Sequence, residues 1–384
     1  MRRPLMERVV RELASYERGS ASEGERRAAD WLAAELRSLG CEVRIEAEKA
    51  HGGYWWPLGI LNALTALAAL TGRRLLALLT GAGAAAAVWD DVGGGRLWFR
   101  RVVLPHRTTW NVVAETGDRL AERTVVFIAH HDAAHTGLVF HPALPRIGMR
   151  LAPEAHAKAT QSIPIMYGVF LGPVVTALAA LLNRPLLRRI GIGLSLGATA
   201  SMADIGARGI VPGANDNLSS VGVLAALAEA LRDRPQAGTR VILLSTGSEE
   251  SFMEGMQGFV SRHLRDLPPE TTEFVCLECV GSPELCVVEG EGMLKMRLYP
   301  EESREALDRA ASLAGVKLTR GLKTIAASDA LIPLRAGYRV SLIGGIDETK
   351  FPANYHWPSD TPDNLTWESM ERAAAVCESY IRRL

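Results

Sequence analysis

Three apolar runs in this sequence lead directly into acidic or histidine side chains. They are TVVFIAHHD (124–132), RVILLSTGSEE (240–250) and FVCLECVG (274–281). Uninterrupted β-branched runs are typical of strands buried on both faces of a parallel sheet. Helical patterns separate the runs, so the sequence predicts an α/β fold with a mostly parallel central sheet flanked by helices. Ligands of such sheets bind at the carboxyl ends of the strands, where these polar residues fall.

Shorter patterns predict the outer elements of the fold. Helices are expected at 5–16, from Ser22 to Gly40, at 302–314 and at 367–383. Strands are expected at 41–48, 97–104, 108–115 and near 340–343. Ser22 and Glu25 carry the capping-box signature of a helix start.

Two pairs of uncharged segments interrupt this pattern. Residues 50–72 and 75–89 flank two arginines, and residues 159–183 and 190–203 flank the basic stretch 184–189. The first member of each pair reaches the roughly 20 residues of a membrane-spanning helix, and the second falls short. We expect two hydrophobic helical hairpins, 50–93 and 151–204, inserted into one domain formed by 1–49, 94–150 and 205–384.

The hairpins are expected to place the chain in a lipid bilayer through residues 50–89 and 159–203. Four aromatic residues would then lie near the membrane interface: Tyr54, Trp55, Trp56 and Trp89. The alternative is a pair of buried or dimer-forming hairpins in a soluble protein, so a homodimer is one expected partner. The basic N-terminus lacks the apolar core of a signal peptide, which favours a cytoplasmic main domain. Arginines occur at both ends of the hairpins and give no clear orientation.

Charge and cysteine content exclude several classes of protein. The 384 residues include 43 basic and 43 acidic side chains, so no net charge attracts nucleic acid. The five cysteines are too few and too scattered for a disulfide framework. Such cysteine usage fits a reducing compartment.

The segment PGANDNLSSVGV (212–223) places Asp216 between two asparagines at the start of a helical run. Turn-forming neighbours fix an acid at such a position through local backbone geometry. The simplest interpretation is an N-cap carboxylate. A site for two metal ions, however, needs one carboxylate that contacts both, and candidate ligands lie before and after Asp216 in the chain.

Strand ends supply most of these candidates. His130 and Asp132 follow a fully apolar run, and an acid two residues from a metal-binding histidine can hold its ring by a hydrogen bond. Glu249 and Glu250 are adjacent acids, which suits one metal ligand and one general base, although a solvated acidic turn has the same pattern.

Two more candidates come from the second half of the chain. Glu278 lies in an otherwise apolar strand, where a charge requires a partner or a metal ion. His356 lies in the proline-rich stretch NYHWPSDTPDN, where a loop ligand is plausible but a surface histidine is common.

Taken together, these residues and their order resemble the M28 family of zinc aminopeptidases. The matching segments are AHHD, PGANDNLSSVGV, STGSEE, LECVG, ASDALIPLRAG and YHWPSDTPDN. The stretches ERRAADWLAAELRSLGCEV and TWNVVAE are also similar to the family. The resemblance covers nearly the whole chain apart from the two apolar hairpins.

The resemblance implies a two-zinc metallopeptidase that removes N-terminal residues from peptide substrates. One zinc would be held by His130, Asp216 and Glu278, and the other by Asp216, Glu250 and His356. Glu249 would act as the general base, and Asp132 would orient His130. Glu278 departs from the family, in which aspartate is usual, and this puts full occupancy of its zinc in doubt.

Other interpretations are compatible with the same sequence. A glutaminyl-cyclase-like or other amide-processing enzyme on this fold would use one zinc. An inactive membrane scaffold or receptor domain is the other alternative, but such a protein would lack metal ligands, and all candidate ligands are present here. The segment HDAAH (131–135) differs from the zincin motif because Asp replaces Glu and a strand pattern precedes it. Cys276 and Cys279 would point to opposite faces of a strand, which indicates core cysteines.

Overall fold

A nine-stranded sheet forms the centre of the computed structural model, which describes residues 2–383. The strands are β1 (Glu42–Ala50), β2 (Arg107–Gly117), β3 (Thr124–His130), β4 (Arg240–Thr246), β5 (Thr272–Glu278), β6 (Glu284–Glu291), β7 (Arg297–Leu298), β8 (Thr319–Thr324) and β9 (Arg339–Ile346). The helices are α1 (Arg3–Leu13), α2 (Glu23–Ser38), α3 (Trp55–Leu70), α4 (Arg74–Val92), α5 (Trp98–Val103), α6 (Ala143–Leu151), α7 (Pro153–Lys158), α8 (Tyr167–Leu182), α9 (Pro185–Ala207), α10 (Ser219–Asp233), α11 (Glu254–His263), α12 (Glu301–Leu313), α13 (Leu331–Arg335) and α14 (Trp367–Arg382).

The sheet is mixed, with a parallel centre. Strands β4, β3, β5 and β9 lie side by side and run parallel, whereas β1–β2, β2–β4, β9–β6 and β6–β7 pair antiparallel. The α/β fold predicted from the sequence is therefore confirmed. Strands β6, β7 and β8 were not predicted.

Side chains of the central strands alternate between two hydrophobic cores. Phe127 packs on one face with residues of α1, α2, α10, α12 and α14. Its neighbour Ile128 packs on the other face with residues of α11, α13 and the four long apolar helices. Both faces of the sheet are covered, which explains why the central strands are almost entirely apolar.

Residues 97–104 form helix α5 instead of the predicted strand. Arg100 is fully buried there and donates to the Asp91 carboxylate (Nε to Oδ2 3.1 Å) and to the Ser251 carbonyl (2.6 Å). A buried guanidinium needs such partners. The contact therefore joins the end of α4 to the loop that follows β4, a constraint that local sequence patterns do not contain.

Helices α3, α4, α8 and α9 form one four-helix bundle made from two hairpins. The second helices, α4 with 19 residues and α9 with 23, are long and apolar enough to span a membrane, whereas α3 and α8 have 16 residues each. The predicted order of lengths is thus wrong. The second helices are longer than predicted because they include charged residues at their ends, such as Arg74 and Asp91 of α4.

The bundle buries several polar side chains among small and apolar ones, and its exterior is apolar. Asn62, Thr65, Thr176 and Ser195 are buried between its helices. Leucines on all four helices are exposed, for example Leu67, Leu79, Leu181 and Leu186. The exterior thus differs from that of a water-soluble bundle, in which charged and polar residues face the solvent.

Small residues allow the helices of the bundle to approach closely. A Cβ atom added at Gly172 would lie 2.8 Å from the Ser195 nitrogen, and one at Gly191 would lie 3.0 Å from the Thr176 nitrogen. Close backbone contact at small residues is a common mode of helix packing in membranes.

Asn62 compensates for a proline in the neighbouring hairpin. Pro173 lies inside α8 and has no N–H to donate to Val169, four residues earlier. The side chain of Asn62 donates to that Val169 carbonyl oxygen at 3.0 Å. The hydrogen bond satisfies a buried acceptor and joins α3 to α8.

We expect Asn62→Leu to lower the stability of the detergent-solubilised protein by about 1 kcal/mol, because the Val169 carbonyl loses its donor. The Pro173→Ala background restores an N–H to α8, so the same substitution should cost less there. Thermal unfolding of all four proteins in this double-mutant cycle measures the coupling. Equal costs in both backgrounds would contradict the assignment.

Candidate metal centre

The predicted site residues converge at the carboxyl edge of the parallel strands. His130 ends β3, Glu278 ends β5, and Glu249 with Glu250 follows β4. The turn before α10 carries Asp216, and the loop after β9 carries His356. All of these residues except the glutamates are buried, and the glutamates are half-buried.

The two carboxylate oxygens of Asp216 face different histidines. Oδ1 lies 3.3 Å from Nε2 of His130, and Oδ2 lies 3.2 Å from Nε2 of His356. Asp216 is thus placed between the two imidazoles, with one oxygen for each. The N-cap interpretation is wrong in this structure, because the Asp216 side chain points to histidines.

Each of the two histidines lies close to different glutamates. Nε2 of His356 lies 3.1 Å from Glu250 Oε2, whereas Nε2 of His130 lies 3.8 Å from Glu278 Oε2 and 3.8 Å from Glu249 Oε2. Asn217 donates to Glu278 Oε2 at 2.9 Å and holds the longer side chain towards the site.

Asp132 contacts three parts of the site. Its Oδ1 lies 3.3 Å from Nδ1 of His130, and its two oxygens accept hydrogen bonds from the backbone N–H groups of Glu249 and Glu250, each at 3.1 Å. Ser20 donates to Oδ2 at 2.6 Å. The position of His130 is therefore coupled to the loop that carries both glutamates.

Three residues that sequence reasoning missed fix the surrounding loops. Asp360 accepts from the backbone nitrogens of Asn215 (2.6 Å) and Asp216 (3.1 Å). Arg18 donates to the carbonyl oxygens of Pro212 and Gly213. The Glu25 carboxylate, predicted only to cap α2, accepts from Ser248 N at 3.0 Å. The only sequence signal for Asp360 was its position within a segment that resembles the family.

Burial and neighbouring charges shift the ionisation of the site. Burial raises the pKa of Glu249 and of Glu278 well above the usual range. Burial alone would lower the pKa of His356, but Glu250 and Asp216 outweigh it and raise the value to about 10. The same histidines hold the pKa of Asp216 well below its usual range against the effect of burial.

The donor set fits a metal centre. Glu250 Oε1 is a buried atom without a hydrogen-bond partner, and Asp216 Oδ2 has only its 3.2 Å contact with His356 Nε2. Within residues 2–383, no lysine or arginine forms an ion pair with Asp216, Glu249, Glu250 or Glu278. Imidazole nitrogens and carboxylate oxygens are typical zinc ligands, and metal cations would balance this concentration of acids.

Two competing metal motifs do not form. His131 is buried behind the site, where its Nδ1 contacts Ser245 Oγ at 2.9 Å, whereas His135 contacts Trp55 and the Arg208 carbonyl. Residues 131–135 are not helical, so HDAAH is not a zincin site. Cys276 and Cys279 are buried free thiols, and burial raises the pKa of both.

Apolar cavities adjoin the metal-binding groups. One, of about 110 Å³, is lined by Val288, Glu291, Leu322 and Leu342 beside Glu278. Another, of about 60 Å³, is lined by aromatic and aliphatic residues beside Glu250: Tyr54, Phe140, Ile163, Ile165, Met166 and Phe252. Tyr54 is therefore part of the site wall, and the prediction that it lies with the interface aromatics is not supported by its burial.

A family model covers the segment that carries most of these residues. Residues 199–381 match peptidase family M28. This M28 segment contains Asp216, Glu249, Glu250, Glu278 and His356, while His130 precedes it. The resemblance to the family predicted from the sequence is confirmed over the segment. No curated protein matches the chain by sequence.

Solved structures share the fold. An aminopeptidase from Aneurinibacillus sp. strain AM-1 aligns with a TM-score of 0.58 and 13% identity, covering 99% of this chain and 93% of that chain. A zinc aminopeptidase from Bacillus subtilis aligns at 0.57 and 13%, covering 99% and 94%. A glutaminyl cyclase from Bacteroides thetaiotaomicron, bound to N-acetylhistamine, aligns at 0.57 and 14%, covering 100% and 98%. The match of residues 199–381 to peptidase family M28 supports a metallopeptidase, and the solved structures show that the fold is shared.

We expect Asp360→Asn to weaken zinc binding about 10- to 100-fold, as is usual for residues that orient metal ligands. Asparagine offers one acceptor oxygen where Asp360 serves two backbone N–H groups, so Asp216 would lose part of its support. Competition with a zinc chelator measures the affinity. Asp363→Asn, an exposed change in the same loop, is the control, and equal affinities would contradict the role of Asp360.

Proposed function

We propose that this protein is a membrane-associated two-zinc aminopeptidase. The observation that carries the proposal is the placement of Asp216, whose two oxygens face His130 and His356 separately. A carboxylate shared between two metal ions requires this arrangement. One zinc would be held by His130, Asp216 and Glu278, and the other by Asp216, Glu250 and His356.

Zinc ions, when bound, polarise the scissile carbonyl and lower the pKa of a water molecule at the site. Glu249 takes the proton of the attacking water and delivers it to the departing amine. Asp132 supports this role, because it holds the backbone nitrogen of Glu249 at 3.1 Å and His130 at 3.3 Å. Residues around the apolar cavities would exclude bulk water and accept an apolar substrate side chain.

A glutaminyl-cyclase-like reaction is the second candidate. The fold is as similar to a glutaminyl cyclase as to a zinc aminopeptidase, with a TM-score of 0.57 in both comparisons. The aminopeptidase is preferred because ligands for two metal ions converge on Asp216. A peptide with N-terminal glutamine separates the reactions, since the peptidase releases free glutamine and the cyclase releases ammonia.

The membrane part of the proposal rests on the exterior of the four-helix bundle. Exposed leucines and buried polar side chains suit a lipid environment and not water. The arginines at the hairpin tips, 73–74, 184 and 188–189, would lie at the opposite membrane surface from the catalytic domain. The cytoplasmic orientation, the homodimer and the domain boundaries stay predictions.

We expect Glu249→Gln to lower peptide hydrolysis by about 10²- to 10⁴-fold with zinc retained, because the variant loses only the proton acceptor. Asp216→Ala should lose zinc and activity together. Elemental analysis measures the zinc content, and hydrolysis of an aminoacyl-anilide measures the activity. Both are done on carbonate-washed, detergent-solubilised membranes.

Glu301→Gln, an exposed change at the start of α12, is the matched control and should behave as wild type. An active Glu249→Gln variant would contradict the assigned base. Recovery of the wild-type protein in the soluble fraction without detergent would contradict the membrane assignment.

A further inference from the structure

Helix α6 presents an apolar face that the described residues 2–383 leave exposed. None of its 9 residues is buried. Leu144, Ile147 and Leu151 are spaced three and four residues apart, so they lie on one side of the helix, and their exposed fractions are 50%, 49% and 81%. Three large aliphatic side chains on one short helix would form a costly surface in water.

Basic residues border this face. Arg146 and Arg150 lie on the flank of α6, and Lys158 follows at the end of α7, all exposed. An apolar face bordered by lysine and arginine is the pattern of a helix that lies in a membrane interface. Arg150 and Lys158 are attracted to anionic headgroups in such a position, whereas Arg146 pairs with Glu348.

Helix α6 is fixed to the catalytic domain by the loop after β9. Arg146 forms an ion pair with Glu348 (3.4 Å), and the Lys350 ammonium donates to the carbonyl oxygens of His156, Ala157 and Ala159 at 2.8–3.0 Å. The same loop continues to His356. The exposed face is therefore held in a fixed relation to the metal centre.

A cavity lies between α6 and the site. It has a volume of about 350 Å³ and is lined by Leu144 and Arg146 of α6. It shares Phe140, Ile163 and Tyr355 with the cavity that borders Glu249 and Glu250. The two cavities are therefore adjacent, and these shared side chains lie between the metal-binding groups and the side of the molecule that carries α6.

The bundle continues this surface. Helix α8 begins at Tyr167, close in sequence to Ile163, and both residues are exposed. Helix α5, at the end of the first hairpin, also exposes Trp98 and Val102. Both short helices therefore expose apolar residues, and α6 lies near the residues that lead into α8, because Leu144 and Ile163 line the same cavity.

We propose that α6 lies in the interface of an anionic bilayer and opens the active site towards the membrane surface. This inference rests on the proposed peptidase function. It defines the substrate class as peptides that have a free N-terminus and are held at the bilayer by an apolar or lipid-modified part. A soluble peptide reaches the same metal centre but gains nothing from the membrane.

The first test measures contact with lipid in the full-length protein. Ile147→Cys, labelled with an environment-sensitive fluorophore, is reconstituted in vesicles of phosphatidylcholine and phosphatidylglycerol with brominated acyl chains. Labelling is selective because the five native cysteines are buried. Quenching of this label, and not of one at Glu154→Cys on α7, is expected. Equal or absent quenching would overturn the proposal.

The second test compares two substrates in the same vesicles. Ile147→Glu with Leu151→Glu should lower hydrolysis of a lipid-anchored peptide about tenfold or more, because burial of one leucine-sized side chain is worth about that factor. Hydrolysis of a soluble aminoacyl-anilide should stay unchanged, since neither residue lines the cavities. Equal losses on both substrates would overturn the proposal, whereas an inactive wild-type protein would instead reject the peptidase function.

Discussion

The structure of the site depends on the burial of one carboxylate between two imidazoles. Asp216 is 3% exposed, and each of its oxygens faces a different histidine. A buried acid with this geometry requires a rigid support. Asp360 provides it by accepting hydrogen bonds from the backbone N–H groups of Asn215 and Asp216. The strands β3 and β5 and the loop after β4 then bring His130, Glu278 and the paired glutamates to the same point.

A second constraint links this centre to the bundle. Arg100 is buried between Asp91, at the end of α4, and the carbonyl of Ser251, next to the paired glutamates. Glu254 also accepts hydrogen bonds from the backbone nitrogens of His51 and Gly52, just before α3. Both ends of the first hairpin are therefore anchored beside the metal-binding loop, so the apolar helices and the site form one unit.

The sequence indicated which candidate residues lie together, although their roles stay predictions. His130, Glu249, Glu250 and Glu278 follow apolar strands, and strand ends in a parallel sheet must meet at one edge. Asp360 and Arg18 were missed because their role depends on contacts between distant loops. Residues 97–104 resemble a strand locally, yet the buried Arg100 requires a helix in this place. The exposed face of α6 could not be recognised from sequence, since periodicity does not show which face is covered.

Anomalous X-ray scattering at the zinc edge, on crystals of the zinc-loaded protein, would locate the metal ions relative to Asp216. We expect two zinc positions, one on either side of the Asp216 carboxylate. One should lie beside His130 and Glu278, and the other beside Glu250 and His356. A single zinc position, or two positions that do not share Asp216, would contradict the bridged site.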